Sequence, residues 1–372
     1  MIQPVAHVVM ALVFHGGVIA GDSLAADFHQ IAAIVREGIV AGETPGAVVV
    51  VADRDHILYR QAFGDRQLEP IREPMTVDTV FDLASLTKPI ATATSVMTLV
   101  QNGMLDLDHP VATYLPEFAA NGKASITIRD LLLHVGGIIA DNSINDYRQG
   151  TDESWKRIYQ LKPIADRREK FIYSDVGFLT LGKVVQRVSG KTLDQYAHEF
   201  IFGPLGMTET TFNPDHLLAA RAAPTERRDG RWIRGQVHDP RAHLLGGVAG
   251  HAGLFSTADD LVRYGQMMLG KGRLADTCVL KPSVFMTMTT PRAVPNGTRT
   301  LGWDHRSPYS SNRGKSLSDA AFGHGGFTGT VLWIDPEKDR VFIFLSNRLH
   351  PDGQGSVNKI AGRIATIVGN IP

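Results

Sequence analysis

The chain has 372 residues, 43% hydrophobic and 20% charged, and its Lys plus Arg equal its Asp plus Glu. At about 100–200 residues per domain this predicts one large or two intertwined domains with a substantial core. The zero net charge and the lack of a basic run argue against nucleic acid or an anionic membrane surface as the main partner.

The first 25 residues resemble a secretory leader, although no Lys or Arg opens them. Residues 8–20 are apolar, and Ser23-Leu24-Ala25 fits a small-x-small cleavage pattern. Broken by His15-Gly16-Gly17, the stretch is too poor for a membrane span, so export is expected and an integral membrane segment is not. Residues 28–40 carry apolar side chains at helical spacing (Ile31, Ile34, Val35, Ile39). Residues 47–52 are a continuous apolar, largely β-branched run, and 56–63 return as a second strand after the turn Asp53-Arg54-Asp55.

A long apolar helix is expected next, with Ile90, Ala93, Val96, Met97, Val100 and Met104 on one face and Asn102-Gly103 as its stop. Residues 111–269 read as mostly helix and loop. Thr127 is expected to cap a short helix over 126–134, followed by helices over 177–188 and 193–200 and one over 259–269 capped by Thr257. Residues 330–334 and 341–346 flank a turn at Asp335-Pro336 and form a hairpin, and 360–368 close as a helix. The single Cys278 excludes an internal disulfide and reads as a core filler.

This ordering predicts an α+β protein whose antiparallel sheet draws strands from both chain ends. Residues 26–90 and 275–372 would form the sheet lobe, and 91–274 a mostly helical inserted lobe, with the active site in the cleft between.

Three stretches carry chemistry. Ser85 and Lys88 sit three apart at the mouth of the long helix, with Pro89 acceptable only in its first turn. That spacing lets an amine reach the serine hydroxyl, which it can deprotonate if the site holds the amine neutral. Free N–H groups at a helix start also suit a developing oxyanion. The pattern is undemanding, since Ser356 and Lys359 repeat it near the C-terminus. Tyr173-Ser174-Asp175 precedes a helix; Tyr173 can shuttle a proton, and Asp175 can orient Lys88. The third stretch, Gly323-His324-Gly325-Gly326-Phe327-Thr328-Gly329, directly precedes the 330–334 strand. Its glycines would let a substrate lie along a strand edge, the Phe327 N–H would join that of Ser85 as oxyanion donor, and His324 would donate to a substrate carboxylate or carbonyl.

In this order, Ser85-x-x-Lys88, Tyr173-x-Asp175 and His324-Gly325-Gly326 resemble the motifs of the penicillin-binding-protein and class C β-lactamase-like serine hydrolases. That family includes β-lactamases, D-alanyl-D-alanine carboxypeptidases, D-aminopeptidases and certain carboxylesterases. Residues 127–137, 173–190, 203–211, 246–256 and 301–303 look like the family as well. The resemblance implies its fold, no metal or other cofactor, and a peptide or small-molecule substrate. It also implies an acyl-enzyme on Ser85, with Lys88 and Tyr173 sharing the general-base and general-acid roles. Two departures, His324 for a lysine and Asp175 for an asparagine, favour peptidase or esterase chemistry over β-lactamase.

Three rival readings are weaker. Gly21-Asp22-Ser23-Leu24 matches another esterase family, but no Asp-x-x-His stands near the C-terminus, where that family expects it; the pattern occurs early, as at Asp106 and His109. A metal site could draw on His238, Asp239, His243 and His251, yet no His-Glu-x-x-His exists and Pro240 interrupts a helix there. A non-catalytic penicillin-binding sensor on the same fold would be acylated without release.

Overall fold

The computed structural model describes residues 18–372, with side chains from residue 24 onward. The leader reading therefore falls largely outside the described residues. Helix α1 spans Val18–Val40 and contains the Gly21-to-Leu24 segment. No helix among the described residues is long and apolar enough to cross a membrane.

Strands β1 (Gly46–Ala52) and β2 (Ile57–Gln67) come after α1. Helix α2 (Thr94–Gln101) comes after the Ser85 turn, then α3 (Ile128–Leu132), α4 (Asp175–Ser189) and α5 (Ala258–Leu269). The C-terminal part supplies β3 (Asp304–Arg306), β4 (Phe322–Gly326), β5 (Thr330–Asp335), β6 (Arg340–Ser346) and α6 (Asn358–Val368).

The main sheet has nine antiparallel strands, and β6 pairs with β1 in its middle, so the two chain ends meet there. In register, Val49 faces Phe344 on β6 and Gln61 on β2. Every residue of β1 is buried, which is why its sequence is a continuous apolar run rather than an alternating one. Its odd positions, Val49 and Val51, pack with Trp333 and Phe344 against α1 and α6. Its even positions, Val48 and Val50, pack with Leu332 and Ile343 toward α2, α4 and α5. Each such side chain contributes about 1.5–3 kcal/mol by leaving water.

The caps act as their sequences suggest. Thr127 closes a capping box with Asp130, Thr257 accepts from the Asp260 N–H, and Gly190 ends α4 in the left-handed conformation.

Three local expectations fail. The helix after Ser85 is not uniform: residues 84–86 form a 3₁₀ turn and Lys88–Ala93 a π-type turn before α2 begins. Pro89 has no N–H to give to a regular ladder, and its carbonyl instead accepts from Thr94 Oγ1. Met104 lies past the Asn102 cap and is exposed rather than on the buried face. Cys278 is exposed on a two-residue strand and fills no core. In the glycine-rich third stretch, residues 323–326 belong to β4, and a turn follows at Phe327, Thr328 and Gly329.

Candidate active site

The Ser85 turn is built around a strained residue. Ala84 has φ 46°, a left-handed conformation that costs a non-glycine residue about 1 kcal/mol or more. Asp82 holds it there: one carboxylate oxygen accepts the Ala84 N–H at 2.8 Å, and the other accepts the His238 N–H at 2.7 Å. Burial raises the Asp82 pKa, opposed by these two N–H bonds.

The same turn is stapled to the sheet. Thr328 Oγ1 donates to the Asp82 carbonyl at 2.7 Å, and Thr330 Oγ1 to the Leu83 carbonyl at 3.0 Å. Contact is so close that a Cβ on Gly326 would lie 2.4 Å from the Leu83 oxygen and 2.2 Å from Thr330 Oγ1. Gly326→Ala should therefore lower stability by about 2–3 kcal/mol through overpacking, read as a drop in the urea midpoint. A loss below about 0.5 kcal/mol would mean that this approach is not tight.

Lys88 is fully buried and its ammonium is the hub of the site. Nζ lies 2.8 Å from Ser85 Oγ, 3.2 Å from the His251 carbonyl and 2.7 Å from Asp175 Oδ1, the last an ion pair rather than an aligned hydrogen bond. It also sits 4.8 Å above the Tyr173 ring. Burial favours the neutral amine, but the Asp175 charge, with Tyr173 beside it, outweighs it and raises the Lys88 pKa. The resting site thus does not hold the amine neutral, although direct deprotonation of Ser85 by Lys88 would require it.

Tyr173 is clamped between the His134 ring at 4.5 Å and the Tyr309 ring at 4.8 Å. Burial raises its pKa, and Lys88 opposes the rise. His134 and His324 are both pushed well below the ordinary histidine range, by burial first and then by Arg299 and Lys88, so both are neutral. The His134 Nδ1 accepts the Ser174 N–H at 2.9 Å, which leaves the proton on Nε2.

For His324 the tautomer is the reverse. Its Nδ1 lies 2.8 Å from the Gly325 carbonyl, which can only accept, so Nδ1 carries the proton and Nε2 offers a lone pair. Nε2 is 3.4 Å from the Tyr173 hydroxyl. His324 is therefore buried and acceptor-facing, not the donor to a substrate carboxylate that its sequence position suggests.

Ser85, Tyr173 and His324 line one cleft of about 360 Å³, together with Gly325, Gly326 and Phe327. β3 pairs with β4 only at Asp304 and Gly323, so past that point this edge of β4 has no partner strand. An extended substrate can add itself there. Phe327 stands at the rim, 60% exposed, with its ring stacked on His238.

The structure thus brings together Ser85, Lys88, Tyr173, Asp175 and the 324–327 stretch. The second Ser-x-x-Lys makes no such pair: Ser356 lines the far side of the cleft and Lys359 is exposed. Of the rival metal set, Asp239 and His251 do meet, at 2.9 Å, and Asp175 joins them. His238 turns instead to Glu226 at 2.5 Å. Lys88 already supplies the positive charge beside Asp175, so the cluster needs no metal for charge balance.

Sequence reasoning missed several supports. Arg299 is fully buried, pairs with Asp304 at 3.2 Å and lies 6.0 Å from the Tyr173 ring centroid. His134 and Asp82 were visible only as parts of apolar helix and motif stretches.

Comparison with known proteins shows the family and the fold. A family model described as Beta-lactamase matches residues 31–366. The N-acetylmuramyl-L-alanine amidase of Bacillus subtilis strain 168 is 33% identical over 359 residues, covering 87% of this chain and 81% of that protein. An Escherichia coli K12 protein with the provisional name D-alanyl-D-alanine carboxypeptidase is 33% identical over 345 residues, 82% of this chain and 79% of its own. Among solved structures, EstCE1, a hydrolase with promiscuous acyltransferase activity, superposes with a TM-score of 0.74 at 21% identity, covering 95% of this chain and 99% of that one. A penicillin-binding-protein homologue from Caulobacter crescentus gives 0.74 at 20% identity, over 93% of this chain and 98% of that one. At such identities the structures speak to the fold alone.

Proposed function

Because the chain belongs to the Beta-lactamase family of serine hydrolases, we propose that it cleaves an amide whose nitrogen belongs to a terminal alanine, through an acyl-enzyme on Ser85. The observation that carries this reading is the 2.8 Å contact between Lys88 Nζ and Ser85 Oγ at the edge of an open cleft. The two relatives' names supply the substrate class, since a muramyl-L-alanine amide and a D-alanyl-D-alanine peptide share an alanine leaving group.

Ser85 Oγ attacks the carbonyl carbon, and its proton passes to the Lys88–Tyr173 pair, which acts as one base. The oxyanion is met by the N–H groups of Ser85 and Phe327. The pair returns the proton to the departing nitrogen, the C–N bond breaks, and water then cleaves the acyl ester by the same route. Asp175 holds Lys88 in place, while His134 and Tyr309 hold Tyr173. With a neutral His324 where a β-lactamase of this type has lysine, the third motif offers no cation to a β-lactam carboxylate.

A four-substrate comparison tests the reading: an N-acyl-D-alanyl-D-alanine, an N-acyl-L-alanine, a short acyl ester and a penicillin. Alanine release is expected to exceed penicillin turnover by at least about 100-fold in kcat/KM, as differential transition-state binding of the preferred leaving group requires. Faster penicillin turnover, or turnover of the ester alone, would overturn it. Both relatives' names point to cell-wall material, which supports work outside the cytoplasmic membrane. The N-terminal residue of the mature protein tests removal of the leader.

A further inference from the structure

We infer that Arg348 is a carboxylate anchor, so that the preferred substrates carry a free carboxylate on the part lying beyond Gly326. The inference rests on the hydrolase reading above and names the charge its substrate must bear.

Arg348 comes just after β6 and lines the cleft that contains Ser85. It is held rigidly. Its backbone N–H donates to the Thr328 carbonyl at 3.1 Å, its Nη1 donates to the Gly355 carbonyl at 2.8 Å, and its guanidinium lies 4.6 Å from the Phe327 ring centroid. No carboxylate among the described residues pairs with it. Glu226, the carboxylate whose charge acts on it, contacts His238 at 2.5 Å through Oε1. The half-buried guanidinium pays desolvation that the Glu226 charge offsets only in part and without a close ion pair, which is tolerable where a ligand brings an anion into contact.

The other charged groups of the cleft are already satisfied. Asp304 accepts from Arg299, from Ser310 Oγ at 2.6 Å and from the His305 N–H. His324 is neutral and turns its lone pair to Tyr173, so it cannot hold a carboxylate. Arg348 is left as the cation of this cleft that no carboxylate among the described residues pairs at salt-bridge distance. It lines the cleft together with Gly325 and Gly326 of the unpaired end of β4, where an added strand would run. A planar guanidinium with free N–H groups matches a carboxylate in a way that an amide or ester cannot.

The test is equilibrium binding of two uncleavable ligands, an analogue of N-acetyl-D-alanine in which CH2 replaces the amide NH and the C-terminal carboxamide of that analogue, to wild type, Arg348→Met and Arg348→Lys. Wild type should bind the carboxylate about 30-fold tighter than the carboxamide, with the preference falling as salt rises. Arg348→Met should lose that preference while keeping its carboxamide affinity, and Arg348→Lys should retain part of it. Equal binding of both ligands by wild type, no binding of the carboxylate, or a parallel loss of both in Arg348→Met would each overturn the assignment. Hydrolysis of a neutral acyl ester by wild type, absent in Ser85→Ala, judges the hydrolase reading separately. A wild type that cleaves the ester yet ignores the carboxylate sinks only the anchor.

Discussion

Ser85→Ala is expected to abolish covalent capture of acylating substrates and to slow hydrolysis by about 100,000-fold. Removing a nucleophile leaves only the rate gained from binding and from the oxyanion donors, because the remaining groups act as a unit with it. The mutation removes one hydroxyl that accepts from Lys88 at 2.8 Å, while the lysine keeps Asp175 and the His251 carbonyl. Stability should therefore change by no more than about 1 kcal/mol, the usual worth of one hydrogen bond. An intact-mass time course with a penicillin separates the outcomes. Wild type should gain a transient or lasting adduct that the variant lacks. An adduct retained in Ser85→Ala, at the same rate, would place the nucleophile elsewhere. A lasting wild-type adduct with no turnover of any substrate would instead identify a sensor.

The parts of this site that were legible in the sequence are those set by local geometry. Ser85 and Lys88 are three apart on one turn, Tyr173 and Asp175 share the start of one helix, and the β5–β6 hairpin is announced by the turn at Asp335-Pro336. The all-apolar run of β1 also reads directly, because both its faces are covered. What stayed hidden depends on distant segments meeting. The Asp239–His251 contact, the Arg299 cation behind Tyr173 and the His134 ring under it acquire meaning only when separate loops close on one point. The glycines at 323–326 have a packing role that sequence alone does not show: a Cβ on Gly323 would meet the Trp333 ring at 2.3 Å, so small residues are what lets β4 lie there as strand. Composition could not foretell that His324 would be buried and turned toward Tyr173, which is a matter of tautomer and neighbours.

Lys88→Met should cost about 1000-fold in kcat/KM, the size of effect a positioned acid–base group supplies, and its companion Asp175→Asn shows how the group is tuned. Catalysis needs the Lys88–Tyr173 pair to surrender one proton before it can take that of Ser85. Burial alone would ease this for Lys88, but the Asp175 charge, with Tyr173 beside it, outweighs it; burial and Asp175 both make Tyr173 hold its proton. Wild-type kcat/KM should accordingly rise with pH into the alkaline range. Asp175→Asn removes a charge that opposes both deprotonations, so the rising limb should move to lower pH by at least about one unit, and the rate below the wild-type limb should gain about tenfold per unit. A limb that stays fixed or moves upward would show that the pair is not the titrating base. Stability carries an independent sign. The folded-state pKa of Lys88 is raised above its unfolded value, so the ion pair contributes fully below about pH 10.4 and is lost as pH climbs through the folded value. Lys88→Met leaves the partly buried Asp175 without its cation and should cost about 3 kcal/mol at neutral pH, the low end for orphaning a buried charge. Urea unfolding of the two proteins should converge as pH passes the ordinary lysine range. Convergence on the acidic side instead would assign that stability to another group.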